Sequence, residues 1–240
     1  MISAPKIELL LATLLIRAGH VVGFNQLIAE LWGENPPRRA DAALHVYVSQ
    51  LRKLLRGDHD RPSPLVTRAP GYLLHVDEER DITRFQRRLA TGRALHRHGR
   101  HAEADAELTA ALDLWHGPAL GDVQGNGPVI RGFAASAEEA RLECLELRID
   151  TRLAMGGHRM VVGDLYGLIS EYPLRETFYR QLMLALYQTD LQADALRVFR
   201  TARTVLDEEL GVSPCRSLRD LHQAILRGDR NPPVLTARAS

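Results

Sequence analysis

The stretch ADAALHVYVSQLRKLLRG, residues 40–57, sets Val46, Gln50 and Lys53 against Leu44, Val48, Leu51 and Leu55. The second set is spaced four, three, four, the period of one buried helical stripe. The first set falls roughly half a turn around, and no acidic residue occurs from Ala42 to Gly57. A structural surface helix commonly fills that outer face with Glu–Lys pairs. An amide, a compact apolar group and unpaired cations have a different use together. Gln50 can pair with adenine N6 and N7, while Val46 can touch a thymine methyl. Arg39, Arg52, Lys53 and Arg56 can neutralise phosphates, which sets affinity and register but carries no sequence information. The same residue types also make an ordinary solvated helix face, so the surrounding elements have to decide between the two.

Other residues offer less chemistry. His96, His98 and His101 suggest a metal site, but His96 and His98 project to different sides of a helix and Gly99 interrupts the step to His101. A solvated helix end is the simpler expectation, with no metal. No G-x-x-x-x-G-K-[ST] occurs, neither Lys6 nor Lys53 follows a glycine, and G-x-S-x-G and H-E-x-x-H are absent. The expectation is therefore a protein that is not an enzyme and holds no cofactor. Cys144 and Cys215 are too far apart in sequence for a ligand motif, and a reducing cytoplasm is the default. The apolar run Leu9 to Ile16 is shorter than the ~20 residues a membrane span needs. It also lacks a small-residue cleavage site, so a buried first helix is expected and no membrane partner.

The chain has 240 residues with 45% hydrophobic content and a net charge of +1. A packed core is available, and overall charge favours no particular partner. The charge is unevenly placed: Pro36 to Val76 holds seven Arg or Lys against three Asp, plus three His. A locally basic segment in a neutral chain is a nucleic-acid signature. Around it, PKIELLLATLLIRAG predicts a helix with Pro5 near its start and Gly19 as its stop. FNQLIAELWG predicts a second helix capped by Asn25, with Leu27, Ile28, Leu31 and Trp32 as its stripe. Pro36 and Pro37 are expected to open the third helix. After the loop DHDRPSP, LVTR and GYLLHV predict a hairpin about Ala69, Pro70 and Gly71. Arg68 at its tip is placed to enter a minor groove.

Helix, helix, helix, hairpin is the order of a winged helix-turn-helix, whose second motif helix lies in the major groove. The acidic cluster DEERD, residues 77–81, marks a boundary. Beyond it the pattern predicts helices near 81–97, 102–115, 134–155, 158–171, 174–189, 191–210 and 214–227. The Gly/Pro-rich WHGPALGDVQGNGP is read as a loop, and the last residues as a frayed tail. Paired helices with short turns suggest a tetratricopeptide-like array, with Ala185 and Tyr187 before one turn and Ala195, Leu196 and Phe199 after it. The expected fold class is mainly α: a winged-helix domain at 1–77, an all-α domain at 81–228 and a flexible tail at 229–240.

ELWGENPPRRADAALHVYVSQLRKLL followed by VTRAPGYLL closely resembles the DNA-binding domain of the streptomycete antibiotic regulatory protein (SARP) family, an OmpR-type winged helix. EYPLRETFYRQLMLALYQTDLQADALRVFRTARTVLDEELGVSPCRSLRDLHQAIL resembles that family's bacterial transcriptional activator domain, and the two occur in the family's order. The resemblance implies a transcriptional activator of an antibiotic or secondary-metabolite gene cluster. It implies binding to direct repeats near promoters and recruitment of RNA polymerase through its sigma or alpha subunit. The expected location is the cytoplasm, on the nucleoid, with room for a homodimer. The family pattern points to Tyr47, Gln50 and Arg52 on the recognition helix and Arg68 in the wing, although the helical wheel puts Tyr47 on a flank.

Two departures stand out. The family normally has a β-sheet before the first helix, and this sequence starts almost at that helix. Ile7, Leu9, Leu11, Leu15 and Ile16 make the helix apolar almost all round, so it expects cover from an upstream extension, the helical domain or a second subunit. Leu191 also stands at a turn position where such repeats usually place Gly, and a distorted turn is expected. The competing reading is a helical-repeat scaffold for protein interaction or ligand sensing, without sequence-specific DNA binding.

Overall fold

The computed structural model describes residues 5–56, 62–76, 79–121, 123, 125 and 127–229. Among them the chain forms ten helices and three short strands, which contacts divide into two compact units. The first joins Met1–Arg87 to Asp113–Leu142; the second joins Arg88–Leu112 to Glu143–Ser240. The proposed loop tip DHDR and nearly all of the tail at 229–240 lie outside the described residues.

In the first unit α1 (Pro5–Ile16), α2 (Phe24–Trp32) and α3 (Ala40–Arg56) pack on one another. Leu10, Leu14, Leu27, Leu31, Leu44, Val48 and Leu51 meet in a core closed by Leu65, Tyr72 and Leu74 of the hairpin. Burying each such aliphatic side chain is worth about 1.5–3 kcal/mol, the main force holding the helices at these angles. The hairpin is β2 (Leu65–Arg68) and β3 (Gly71–Leu74), and a short β1 (Val22–Gly23) adds to its other edge in the antiparallel order β1-β3-β2. Sequence reading missed β1 because two residues carry no periodicity. Its pairing needs glycine at 71, where a Cβ would lie 1.9 Å from the Val22 carbonyl oxygen. Gly19 ends α1 at φ +81° and donates its N–H to the Leu74 carbonyl at 3.0 Å.

Three local expectations about helix ends fail. Asn25 does not cap α2; Gly23 occupies that position without a side-chain bond, and Asn25 lies inside the first turn. Pro36 and Pro37 do not open α3 but precede it, the Pro37 carbonyl accepting the Ala40 N–H at 3.0 Å. Helix α6 (Pro128–Ala154) starts well before residue 134. Its first turn is capped by the buried carboxylate of Glu30, which accepts the Val129 N–H at 2.7 Å and the Ile130 N–H at 3.4 Å. Proline at the first helical position has no N–H to satisfy, and a carboxylate there meets the positive end of the helix dipole.

The same segment supplies cover for α1. Leu120, Val123 and Ile130 pack into the core containing Leu9 and Leu10, and a Cβ on Gly125 would lie 2.4 Å from Leu9 Cδ1. Leu11, Leu15 and Ile16 stay half-buried.

The second unit contains the end of α4 (Asp81–Arg97), α5 (His101–Leu112), the later turns of α6 (Pro128–Ala154), α7 (His158–Glu171), α8 (Glu176–Tyr187), α9 (Gln192–Leu210) and α10 (Arg216–Arg227). Helix α8 packs against α7, α9 and α10, and its Phe178, Tyr179, Leu182 and Met183 are fully enclosed. Ala185 and Ala195 have no exposed surface, which lets α8 and α9 approach closely. The buried Gln181 amide donates to Glu146 O and Asp150 Oδ1, each at 2.8 Å, and so ties α8 to α6. At the α8–α9 turn the left-handed residue is Asp190 (φ +63°), while Leu191 has an ordinary negative φ. Asp tolerates that conformation better than most residues, so the glycine-like role moves back one position. The histidines also differ from a solvated helix end. His96 and His101 are half-buried with ring centres 5.1 Å apart, and His96 Nδ1 shares a 2.8 Å hydrogen bond with Thr151. His98 alone is exposed, against the Ala94 carbonyl.

Candidate nucleic-acid interface

Helix α3 turns its two faces as its spacing demands. Leu44, Val48 and Leu51 are buried, and Leu55 is half-buried. Val46, Gln50 and Lys53 form an outward stripe, with Val46 52% exposed. An apolar side chain held that far out of the core is available for contact. His45 and Ser49 share the same outward face and were missed by sequence reasoning; the available signal was that Ser49 lies three residues from Val46 and four from Lys53, and His45 four from Ser49. Arg39 just before the helix and Arg56 at its end are exposed, about 25 Å apart along a 17-residue helix. Arg38 and Arg68 are exposed too, and among the described residues none of Arg38, Arg39, Lys53, Arg56 and Arg68 is in an ion pair. Asp41, in the first turn, is the face's acidic residue.

Two predicted residues have internal work. Tyr47 is half-buried and stacks on Trp32 of α2, with ring centres 6.0 Å apart and planes at 26°. That contact fixes α2 against α3, the angle on which any helix-turn-helix depends. Arg52 reaches the wing instead of solvent. Its Nε donates to the Leu65 carbonyl at 3.0 Å, its Nη2 donates to Thr67 Oγ1 at 2.8 Å, and its guanidinium lies 5.6 Å from the Tyr72 ring centre.

Tyr72 on β3 joins these parts. Its ring meets Phe24 edge-on at 5.2 Å, and its hydroxyl shares a 2.9 Å hydrogen bond with His45 Nδ1. Burial pushes the Tyr72 hydroxyl above its ordinary pKa, with Arg52 pulling the other way. The proton therefore stays on at neutral pH, and His45 is held at the edge of the outward face. The arrangement is a presented helix whose outward face mixes polar and apolar side chains, with cations before its start and in its last turn, and a wing clamped to it. Gln50, Val46 and Lys53 are brought together on the helix, Arg68 stands on the wing, and Arg52 and Tyr47 hold the frame.

Residues 4–74 match the family described as "Transcriptional regulatory protein, C terminal", and residues 80–226 match the bacterial transcriptional activator domain. The chain is 41% identical to the transcriptional regulator RedD of Streptomyces coelicolor, over 98% of its own length and 67% of RedD's. It is 37% identical to the regulatory protein DnrI of Streptomyces peucetius, covering 99% of this chain and 91% of DnrI. The structure of Mycobacterium tuberculosis EmbR in complex with a low-affinity phosphopeptide superposes with a TM-score of 0.87 at 36% identity, over 94% of this chain and 60% of EmbR. Among the described residues no helix is long and apolar enough to cross a membrane. With both domain families matched in succession and such identity along its length, the chain belongs to the streptomycete antibiotic regulatory protein family, a family of transcriptional regulators and not of enzymes.

Proposed function

We propose that this chain is an activator acting in the cytoplasm on the nucleoid, at promoters of an antibiotic or secondary-metabolite gene cluster. Residues 1–77 bind direct repeats in DNA, and the helical part at 81–228 recruits RNA polymerase through its sigma or alpha subunit. Adjacent repeats place a second copy beside the first, so a homodimer forms on DNA. The observation that carries the reading is the outward face of α3, where Val46, Gln50 and Lys53 are exposed together beside a clamped wing. On this reading Gln50 and Val46 read base edges, Arg39, Lys53 and Arg56 contact phosphates, and Arg68 enters the minor groove. Tyr47 supports the helix and offers its hydroxyl to a phosphate, and Arg52 sets the wing.

Titration of the full chain against DNA from the promoter it controls, at several salt concentrations, tests this. Gln50→Ala should relax preference at one base pair, at a cost of about 1–3 kcal/mol. Lys53→Ala should weaken all sequences alike and lower the salt slope by roughly one unit. Unchanged specific binding in both variants would remove the recognition-helix assignment and leave the scaffold reading.

A further inference from the structure

His45 belongs to the outward face of α3 and is also tied to the wing, yet the function proposed above gives it no part. It lies in the first half of α3, one residue before Val46 and four before Ser49, and it is exposed. Its ring is nevertheless fixed from two directions. Phe24 at the start of α2 meets it edge-on, with ring centres 5.7 Å apart and planes at 63°. Tyr72 on β3 does the same at 6.5 Å and 82°, and its hydroxyl shares the 2.9 Å hydrogen bond with Nδ1. An exposed side chain ordinarily loses rotamer freedom when it docks; here the fold has already removed much of it. In a helix-turn-helix the N-terminal part of the second helix meets the base edges, which is where His45 stands.

The same bond decides which nitrogen of the ring carries hydrogen. Tyr72 is 2% exposed, and among the described residues its hydroxyl is hydrogen-bonded to His45 Nδ1 alone. A buried phenol keeps its proton at neutral pH and needs an acceptor for it. Nδ1 is that acceptor, so the hydrogen of the neutral ring sits on Nε2. The opposite tautomer would donate from Nδ1 and leave the buried Tyr72 proton without a partner. Protonating the ring keeps a hydrogen on Nε2 as well. Among the described residues Nε2 has no hydrogen-bond partner of its own. His45 therefore offers a donor, and not an acceptor, to whatever meets this face.

We propose that His45 reads a guanine in the major groove, donating from Nε2 to its N7–O6 edge, with Tyr72 as the positioning residue. Guanine sets two acceptors side by side in that groove. Adenine places an N6–H2 donor beside its N7, thymine crowds O4 with a methyl group, and cytosine presents only a donor. A single fixed donor therefore fits guanine and opposes cytosine. The inference rests on the reading of α3 as the recognition helix. It adds a base contact beyond those of Gln50 and Val46, and it gives the wing a share in sequence readout through a residue that need not touch DNA.

Two measurements on the full chain separate this inference from the reading beneath it. Nitrogen NMR of histidine-labelled protein without DNA should show the neutral His45 ring with its hydrogen on Nε2, and Tyr72→Phe should mix the two tautomers. Selection from a random duplex library should give the parent a motif containing a guanine whose preference disappears in His45→Ala. The preference that Gln50→Ala removes should survive in that variant. Exchanging the selected G·C pair for C·G should weaken the parent by about fivefold and His45→Ala by less than about twofold, with Tyr72→Phe between them. An Nδ1–H tautomer in the parent, or the same guanine preference in His45→Ala, would overturn the inference and leave the recognition helix standing. A parent chain that selects no motif would overturn both.

Discussion

Arg52 on α3 and Thr67 on β2 are joined by a 2.8 Å hydrogen bond from guanidinium to hydroxyl, beside the 3.0 Å bond from Arg52 Nε to the Leu65 carbonyl. The recognition helix and the wing are therefore braced by one side chain. Arg52→Ala should cost about 1–3 kcal/mol of stability and weaken DNA binding, with little change in salt slope. Lysine should not restore it, because an ammonium cannot make the forked pair of bonds or stack on Tyr72. Thermal melts and salt titrations decide the matter; a slope lowered by one with an unchanged melt would make Arg52 a phosphate contact.

Glu30 offers a test of how a helix end is held from a distance. Its carboxylate accepts the Val129 and Ile130 N–H groups, and a Cβ on Gly127 would lie 2.0 Å from Glu30 Oε2. Glu30→Ala should destabilise the protein by about 1–3 kcal/mol, leaving buried donors unpaired. Gly127→Ala should act in the same direction by pushing the carboxylate aside. Hydrogen exchange at the Val129 and Ile130 amides should accelerate in both variants.

Ala195 is 0% exposed on α9 where α9 meets α8. Ala195→Leu should overpack that contact and cost about 1–3 kcal/mol. A reporter gene should then lose more activation than promoter DNA loses affinity, since the DNA-facing residues are elsewhere in the chain. A variant that melts like the parent would contradict the packing.

Stability should depend on pH through His96 and His222. Burial, reinforced by His101 and opposed by Asp150, holds His96 below its ordinary pKa. Burial and Arg203 do the same for His222, which stacks on Phe199 at 3.8 Å. A histidine with a lowered folded pKa binds fewer protons than the unfolded chain, so stability is greater above the unfolded value of about 6.5 and falls as pH drops through it. The loss levels off below the folded pKa. Denaturant midpoints measured from about pH 7.5 to 5.5 should fall, and His96→Gln should flatten part of that slope. A parent profile that rises toward acid would contradict the sign.

The two faces of α3, the hairpin and the paired helices from α7 to α10 were legible because each is written in local spacing. Leu44, Val48 and Leu51 repeat at the helical period, Ala69-Pro70-Gly71 turns the chain, and small residues mark close helix crossings. Neighbouring residues alone determine such features. The sequence therefore determined which helices and which hairpin form, and which face of α3 holds the DNA-reading candidates.

Tertiary structure decided what those residues touch. Asn25 has the chemistry of a cap but lies inside the helix, whereas Glu30, unremarkable in α2, caps α6. Arg52 looks like a phosphate contact on the wheel and is used to hold the wing. Leu9 on α1 is buried where Leu120, Val123 and Ile130 join the core, Leu11, Leu15 and Ile16 stay half-buried, and β1 forms because β3 leaves it an edge. Each outcome depends on a partner distant in sequence. A hydrogen bond or apolar contact is favourable only when the folded chain brings its second member within reach, and neither residue type nor spacing records where that member will be.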